Sequence, residues 1–470
     1  MDFLINGEKI SKNKTENVIN PYNGEIVDTI PIADKNDVSL AISSANKAKK
    51  VLHDFSSRKI SNKLYDALEE LKKNKKEIAI LITNETGKPI KESLGEMDRS
   101  IETLKLASEE AKRIYGETIP LDAGINGKGF FAFTQKIPLG VIAAITPFNY
   151  PVNLAIHKIA PAIASKNAAI LKPSIQAPLS ALKLVEILDN EFPKGTINSI
   201  TGKGSDVGDL LVKSDKINKI SFTGSVNVGK SISANAQMKK VTLELGGNDP
   251  LVVLKDADLK EAAKGATIGA FLNAGQVCMG VKRIICHEEI LDEFIQVFSK
   301  ATSKLKIGNP LNKDTDMGPL INEESAIEVE NIVNKSIENG AELIIGGKRN
   351  NAFYEPTILT NIKEEMDIVI NETFGPVAPI IKVNSTDEAI RVANNTNFAL
   401  QAGVYTNSYK DALKCANEIE AGSVFINKQS TFRTDNMPFG GFKDSGVGKE
   451  GIKYAVEDMC KTKLIGFNLR

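Results

Sequence analysis

Three observations predict an α/β protein with more than one sheet. Apolar strand-like runs alternate with amphipathic helical runs across residues 138–247, the pattern of a parallel sheet covered by helices on both faces. A second alternating region begins at Pro250. The chain has 470 residues, more than one hydrophobic core usually spans, so two or three domains are expected.

The elements follow in order. Residues 1–33 read as short strands broken by Asn-Pro and Asn-Gly turns. Residues 37–115 carry apolar side chains at helical spacing (Leu64, Leu68, Leu71, Ile78, Leu81), interrupted at Gly87-Lys88-Pro89. At 116–137, glycines surround the aromatic alternation Phe130-Phe-Ala-Phe133, which predicts a hairpin that leaves the main body. The first alternating region gives strands at 141–145, 168–172, 197–200 and 219–222, with helices at 154–165, 179–190, 205–212 and 227–236. The second gives a strand at 251–254, a helix at 258–273, a strand at 283–286 and a helix at 291–305. Strand-like stretches at 340–347, 356–359, 402–405 and 423–427 follow, with a helix at 409–419, a loop at 429–451 and a last strand at 461–469.

Composition excludes several classes. Lys+Arg and Asp+Glu are both 59, so a nucleic-acid partner is not expected. No apolar run approaches a membrane span, and no basic-then-apolar leader opens the chain, so a cytoplasmic protein is expected. The four cysteines form no disulfide framework or ligand spacing, and the three histidines (His53, His157, His287) are scattered, so no metal is expected.

The chemistry centres on Cys278, just past a helical run and a turn carrying Gly275. Read alone, it is a small buried hydrophobe more often than a nucleophile. Two other stretches change that. Leu243-Glu244-Leu-Gly-Gly247 offers a carboxylate among glycines, and Thr146-Pro-Phe-Asn149-Tyr-Pro151 offers an amide in a rigid turn. A thiol nucleophile, a carboxylate base and an amide donor are the parts of acyl transfer. Phe222-Thr-Gly224-Ser225-Val-Asn-Val-Gly229 follows a strand and opens a helix, where free N–H groups suit a pyrophosphate, although Ser225 as a plain N-cap fits equally well. Gly202-Lys-Gly204-Ser-Asp-Val-Gly208 has its third glycine one residue late for a dinucleotide fingerprint and reads as a strand-to-helix turn.

Six motifs in order resemble the aldehyde dehydrogenase superfamily over nearly the whole chain: PFNYP at 147–151, FTGS at 222–225, LELGG at 243–247, the octapeptide ending at Cys278, ETFGPV at 372–377 and PFGGFKDSGVG at 438–448. The resemblance implies a Rossmann-like parallel-sheet cofactor domain (1–119 and 138–246), an α/β catalytic domain (247–450) and a small β bridging element (120–137 and 451–470). In that element the hairpin would pair with the C-terminal strand of a neighbouring subunit, in a homodimer or homotetramer. Cys278 would add to the aldehyde, Asn149 and the Cys278 N–H would hold the oxyanion, and Glu244 would activate water. NAD would be the cofactor, with NADP possible. Lys172 would hold its adenosine ribose, Gly224, Ser225 and Gly229 its pyrophosphate, Glu372 the nicotinamide ribose and Phe374 the nicotinamide, with Phe148 and Gly246 also binding the cofactor.

Two departures bear on specificity. Ile175 stands where NAD-preferring members carry Glu, which lowers repulsion of a 2′-phosphate, and Lys449 replaces the usual Arg. By motif position Tyr150, Asn153, His157 and Arg433 would line the substrate tunnel. A histidine and an arginine there suggest a small hydroxyaldehyde such as lactaldehyde. Glyceraldehyde 3-phosphate without phosphorylation, or succinate semialdehyde, are the alternatives. Transfer to coenzyme A, or a silent relative, is disfavoured by Glu244 and by the complete thiol–carboxylate–amide set.

Overall fold

The strands expected at 141–145 and 168–172 lie side by side at the centre of a six-stranded sheet, in a computed structural model that describes residues 1–469. Across the sheet the order is Gly446–Val447, Lys240–Glu244, Lys219–Thr223, Val141–Ile145, Ala168–Lys172 and Ile197–Ser199. All neighbours run parallel except Gly446–Val447, which pairs antiparallel with Leu243 and Glu244. Ile142, Ala144, Ala169 and Leu171 enter one apolar core, while Val141, Ala143, Ile145, Ala168 and Ile170 enter another on the opposite face. Burial on both faces is why these strands read as unbroken apolar runs.

Four helices, Lys35–His53, Ser57–Lys73, Lys75–Thr86 and Ile90–Glu110, fill the predicted helical stretch. The third stops at Gly87, whose φ of 74° a residue with a Cβ adopts only at a cost. Helix Pro151–Ala164 begins three residues earlier than expected, because Pro151 at its first position needs no N–H partner.

A seven-stranded sheet follows, in the order Glu342–Ile345, Thr357–Thr360, Val377–Val383, Val281–His287, Asp249–Val253, Gln401–Tyr405 and Ser423–Ile426. Only its first edge pair is antiparallel. The strands Lys240–Glu244 and Val377–Val383, and the helices Glu323–Glu338, Thr386–Asn394 and Ile452–Asp458, were not assigned from sequence. Among the described residues no helix is long and apolar enough to cross a membrane.

The bridging element corrects one expectation. Strand Cys460–Asn468 pairs with Phe130–Pro138 of its own chain, Cys460 opposite Pro138 and Asn468 opposite Phe130, rather than with a neighbouring subunit. Helix Ile452–Asp458 delivers the strand there with one intervening residue, and the Met459 carbonyl accepts from Asn167 Nδ2 at 3.0 Å and from the Leu139 N–H at 3.2 Å.

Candidate active site

Helix Leu259–Phe271 is capped by Asp258, which accepts from the Lys260 and Glu261 N–H groups at 3.0 and 3.2 Å. The expected continuation to residue 273 does not form. The chain turns instead through three successive left-handed residues, Asn273 (φ 49°), Ala274 (φ 53°) and Gly275 (φ 73°). A Cβ on Gly275 would lie 2.0 Å from the Gly375 carbonyl, so glycine is required there. The two non-glycine residues cost roughly 1–2 kcal/mol each. Side chains of Glu92 and of Gln276, the next residue, hold the turn. Glu92 Oε2 accepts the Asn273 N–H at 3.0 Å, Gln276 Nε2 donates to the Asn273 carbonyl at 3.0 Å, and Gln276 Oε1 accepts the Ile321 N–H at 2.9 Å.

Cys278 emerges from this turn half-buried, with its own backbone N–H unpartnered among the described residues. Burial pushes its thiol up to about 12, and the nearby Glu372 carboxylate adds to the rise. The free thiol is therefore protonated at neutral pH and needs a proton acceptor to attack. Asn149 lines the same cavity of about 360 Å³. Its Nδ2 gives one hydrogen to the Gln276 carbonyl at 2.9 Å, leaving the second unspent.

Glu244 ends strand Lys240–Glu244 and is 2% exposed, with neither carboxylate oxygen hydrogen-bonded. Burial first, then the Glu450 carboxylate, raises its pKa well above the usual range, while Arg433, Lys158 and Lys449 oppose the rise. Gly440 makes room for it, since a Cβ there would lie 3.1 Å from Glu244 Oε1. A buried, unpaired, proton-hungry carboxylate is a poor structural element and a good general base.

The cavity beside Cys278 shares Pro147, Thr223, Gly224 and Ser225 with a longer groove of about 600 Å³, so the two are continuous. The far end holds Lys172, Ser174, Ile175 and the turn Gly202–Ser205. Burial lowers Lys172 to about 8, and its ammonium donates to the Pro173 carbonyl at 3.0 Å. In the middle, Ser225 makes no side-chain cap bond to helix Val226–Asn235, so the first N–H groups of that helix face the groove. A Cβ on Gly229 would come within 2.4 Å of Leu245, which fixes how closely that helix seats on the sheet. At the near end Glu372 Oε1 accepts the Gly247 N–H at 3.3 Å, and burial holds Glu372 at about 7 against the pull of Lys282. Phe148 and Phe374 meet edge to face there, ring centroids 6.1 Å apart. A cation, a helix N-terminus and a carboxylate strung along one groove fit a dinucleotide.

The other side of Cys278 is built differently. Cys278 packs with Tyr150 and Leu272 against Val277, Met279, Leu400 and Phe439. The Arg433 guanidinium stacks 3.8 Å over Phe439 and donates to Glu450 Oε2 at 3.2 Å. Lys158 donates to Glu450 Oε1 at 2.6 Å and to Thr223 Oγ1 at 2.7 Å. Asp435 takes Arg99 at 2.6 Å and His157 Nε2 at 2.9 Å. Burial opposes ionisation of both carboxylates. Lys158, His157 and Arg433 nonetheless hold Glu450 at about 2, and His157 with Arg99 holds Asp435 well below the carboxylate range. Burial, then Arg433, lowers His157, so the ring is neutral near pH 7.

Residues 9–465 match the aldehyde dehydrogenase family. The chain belongs to that family. A lactaldehyde dehydrogenase of Methanococcus maripaludis is 47% identical, with 98% of this chain and 99% of that one covered. A 3-sulfolactaldehyde dehydrogenase of Priestia megaterium is 42% identical, with 99% and 98% covered. Among solved structures, a glyceraldehyde-3-phosphate dehydrogenase from Methanocaldococcus jannaschii complexed with NADP is 43% identical, with a TM-score of 0.94 and 97% and 100% of the two chains covered.

In this aldehyde dehydrogenase the sequence-predicted residues fall into two groups. Cys278, Asn149, Phe148, Gly224, Ser225, Gly246, Glu372 and Phe374 line the inner cavity, and Lys172 the outer groove. Of the four substrate-side residues, Tyr150 packs beside Cys278, while His157 and Arg433 meet in the charged cluster. Asn153 turns elsewhere: its amide donates to Thr103 Oγ1 at 3.3 Å, and its backbone N–H to Glu96. Sequence reasoning missed Arg99, Lys158, Asp435 and Glu450. No local motif marks them, because they come from three segments that meet only in the fold.

Proposed function

We propose that this aldehyde dehydrogenase oxidises a small hydroxyaldehyde, with lactaldehyde as the leading candidate, to its carboxylic acid using NAD or NADP. The observation that carries the reading is convergence. A thiol and an amide with an unspent N–H line the inner end of the groove, and the unpaired buried Glu244 carboxylate lies near enough to raise the thiol's pKa.

Cys278 releases its proton to solvent water as its Sγ bonds to the aldehyde carbon. Asn149 Nδ2–H and the Cys278 N–H receive the oxygen as it becomes negative. Phe374 and Phe148 would hold a nicotinamide beside this carbon, and that group would supply the hydride acceptor. The oxygen then re-forms its double bond, and a thioester remains on Cys278. Glu244 takes a proton from water as the water attacks the thioester, and the acid departs as the thiol is restored. Glu372 and the Lys172 ammonium would hold the two riboses. Ile175 carries no charge to repel a 2′-phosphate, and Lys203 on the facing turn adds a cation, so NADP is accepted alongside NAD.

The names of the relatives support lactaldehyde, and Tyr150 beside Cys278, with His157 and Arg433 in the adjoining polar cluster, suits a hydroxyl. One observation favours a second reading, an aldehyde with an anionic tail. In the buried cluster three cations (Arg99, Lys158, Arg433) face two ionised carboxylates (Asp435, Glu450), leaving a surplus positive charge. Measuring NAD(P)H formation with lactaldehyde, propanal and glyceraldehyde 3-phosphate separates the two. Preference for propanal refutes both, and preference for the phosphate replaces the first by the second.

We also read the six-stranded sheet with residues 1–119 and 138–246 as the cofactor domain, and residues 247–450 as the catalytic domain. The exposed Phe131, Leu464 and Phe467 of the three-stranded element suit contact between copies, in a homodimer or homotetramer working in the cytoplasm. Sedimentation of the purified protein tests the assembly.

A further inference from the structure

Helix Pro151–Ala164 begins one residue after Tyr150 and two after Asn149, yet none of its own side chains caps it. Its orphan N–H groups are met from a distance. Glu96 Oε1, on helix Ile90–Glu110, accepts both the Val152 N–H at 3.0 Å and the Asn153 N–H at 3.1 Å. Glu96 Oε2 accepts Lys88 Nζ at 2.5 Å, and both side chains are fully buried. The same Lys88 ammonium stands 3.7 Å from the centre of the Tyr150 ring. One buried ion pair therefore grips the chain on both sides of the Tyr150–Pro151 bond.

We infer that Lys88 and Glu96 are positioning residues for oxyanion stabilisation, fixing the Asn149 amide and the Tyr150 ring against Cys278. The inference rests on the role proposed for Asn149. The physical reason is leverage. Apart from this pair, Asn149 is tied by its own bond to the Gln276 carbonyl and by a long 3.5 Å contact from Asn273 Nδ2 to its carbonyl. If the helix start drifts, the unspent amide hydrogen no longer meets the oxygen as charge develops on it. Such misplacement costs rate without removing a catalytic group.

Glu85 is the natural control. It caps helix Leu179–Glu191 in the same manner, taking the Leu179 and Ser180 N–H groups at 2.6 and 3.0 Å, but leads to no residue lining the cavity at Cys278. The test compares E96Q, E85Q, N149A and the double variant N149A/E96Q in the full-length protein. The readout is the rate of the first NAD(P)H burst, per titratable Cys278 thiol and at saturating cofactor. E96Q should slow the burst by about 10- to 100-fold while cofactor affinity is unchanged, and E85Q should not slow it. N149A/E96Q should be no slower than N149A alone, because both act on one interaction. Additive losses in the double variant, or a full burst in E96Q, overturn the inference. A full burst in N149A instead refutes the role of Asn149 itself. Should E96Q fail to fold with Lys88 left unpaired, K88M/E96Q removes both charges together, and the same comparison with N149A decides.

Discussion

The two sides of Cys278 are made of opposite materials. The groove side relies on backbone: glycines that permit close approach and a helix start with free N–H groups, with two lysines (Lys172, Lys203) and two carboxylates (Asp209, Glu372) along its length. The other side is a knot of largely buried charge, with Arg99, Asp435, His157, Arg433, Glu450 and Lys158 joined in a continuous series. Backbone recognition suits a ligand that never changes, because it depends little on side-chain identity. A charge network is the adjustable part, since each substitution there changes what the neighbouring groups must neutralise.

Cys278→Ser should have the largest effect. It should lower turnover by on the order of 10³-fold or more, because a hydroxyl is a far weaker nucleophile. Cofactor binding, followed by fluorescence, should survive, showing that the two sides are separable. Near-normal turnover would end the assignment of the thiol.

Glu244→Gln comes next, with steady-state turnover falling about 100-fold or more while a pre-steady-state NAD(P)H burst persists. Equal loss of both would put Glu244 at the attack of the thiol instead. The same variant carries a stability signature. The folded state raises the pKa of Glu244 above 4.5, so it holds that proton more tightly than the unfolded chain does. Wild-type stability therefore declines as pH rises from the unfolded value through the folded one. Glu244→Gln should melt higher than wild type at pH 8, and the difference should vanish near pH 4. No difference at pH 8 would mean that the carboxylate is not unpaired in solution.

Breaking the charge network should move preference more than rate. His157→Leu leaves Asp435 to Arg99 at 2.6 Å and Arg433 at 3.9 Å and puts an apolar side chain in place of a polar ring. Wild type should favour lactaldehyde over propanal by about tenfold, the value of a buried donor left unpaired. The variant should lose that preference. A variant that keeps it would show that His157 serves the network and not the substrate.

Ile175→Glu probes the groove side and should have the smallest effect, raising the KM for NADP relative to NAD by several-fold through like-charge repulsion. An unchanged ratio would show that the 2′ position lies away from Ile175, and Lys203 would then be the residue to vary.

This contrast also explains what was legible. The parallel sheets could be read because strands buried on both faces are written as apolar runs, and 141–145 and 168–172 formed at the expected bounds. The groove could be read because backbone sites need glycines at fixed offsets within one stretch, as at 222–229. The charged network could not. Arg99 lies 336 residues from Asp435, and Lys158 lies 292 from Glu450. Their hydrogen bonds are set by tertiary packing, and nothing beside either residue in the chain points to its partner. The last strand was read correctly as a strand but assigned the wrong neighbour, since a strand's pattern encodes its faces and not its partner.

The stretch 429–451 has little regular structure, yet it supplies Arg433, Asp435 and Glu450, makes room for Glu244 at Gly440, and adds Gly446–Val447 to the six-stranded sheet while following the seven-stranded one. It is a seam, sewn through both halves of the molecule. A protease that nicks it would release no intact half. It would free the charges on one side and the base on the other in a single cut, so the rate of nicking there and the rate of inactivation should be the same number.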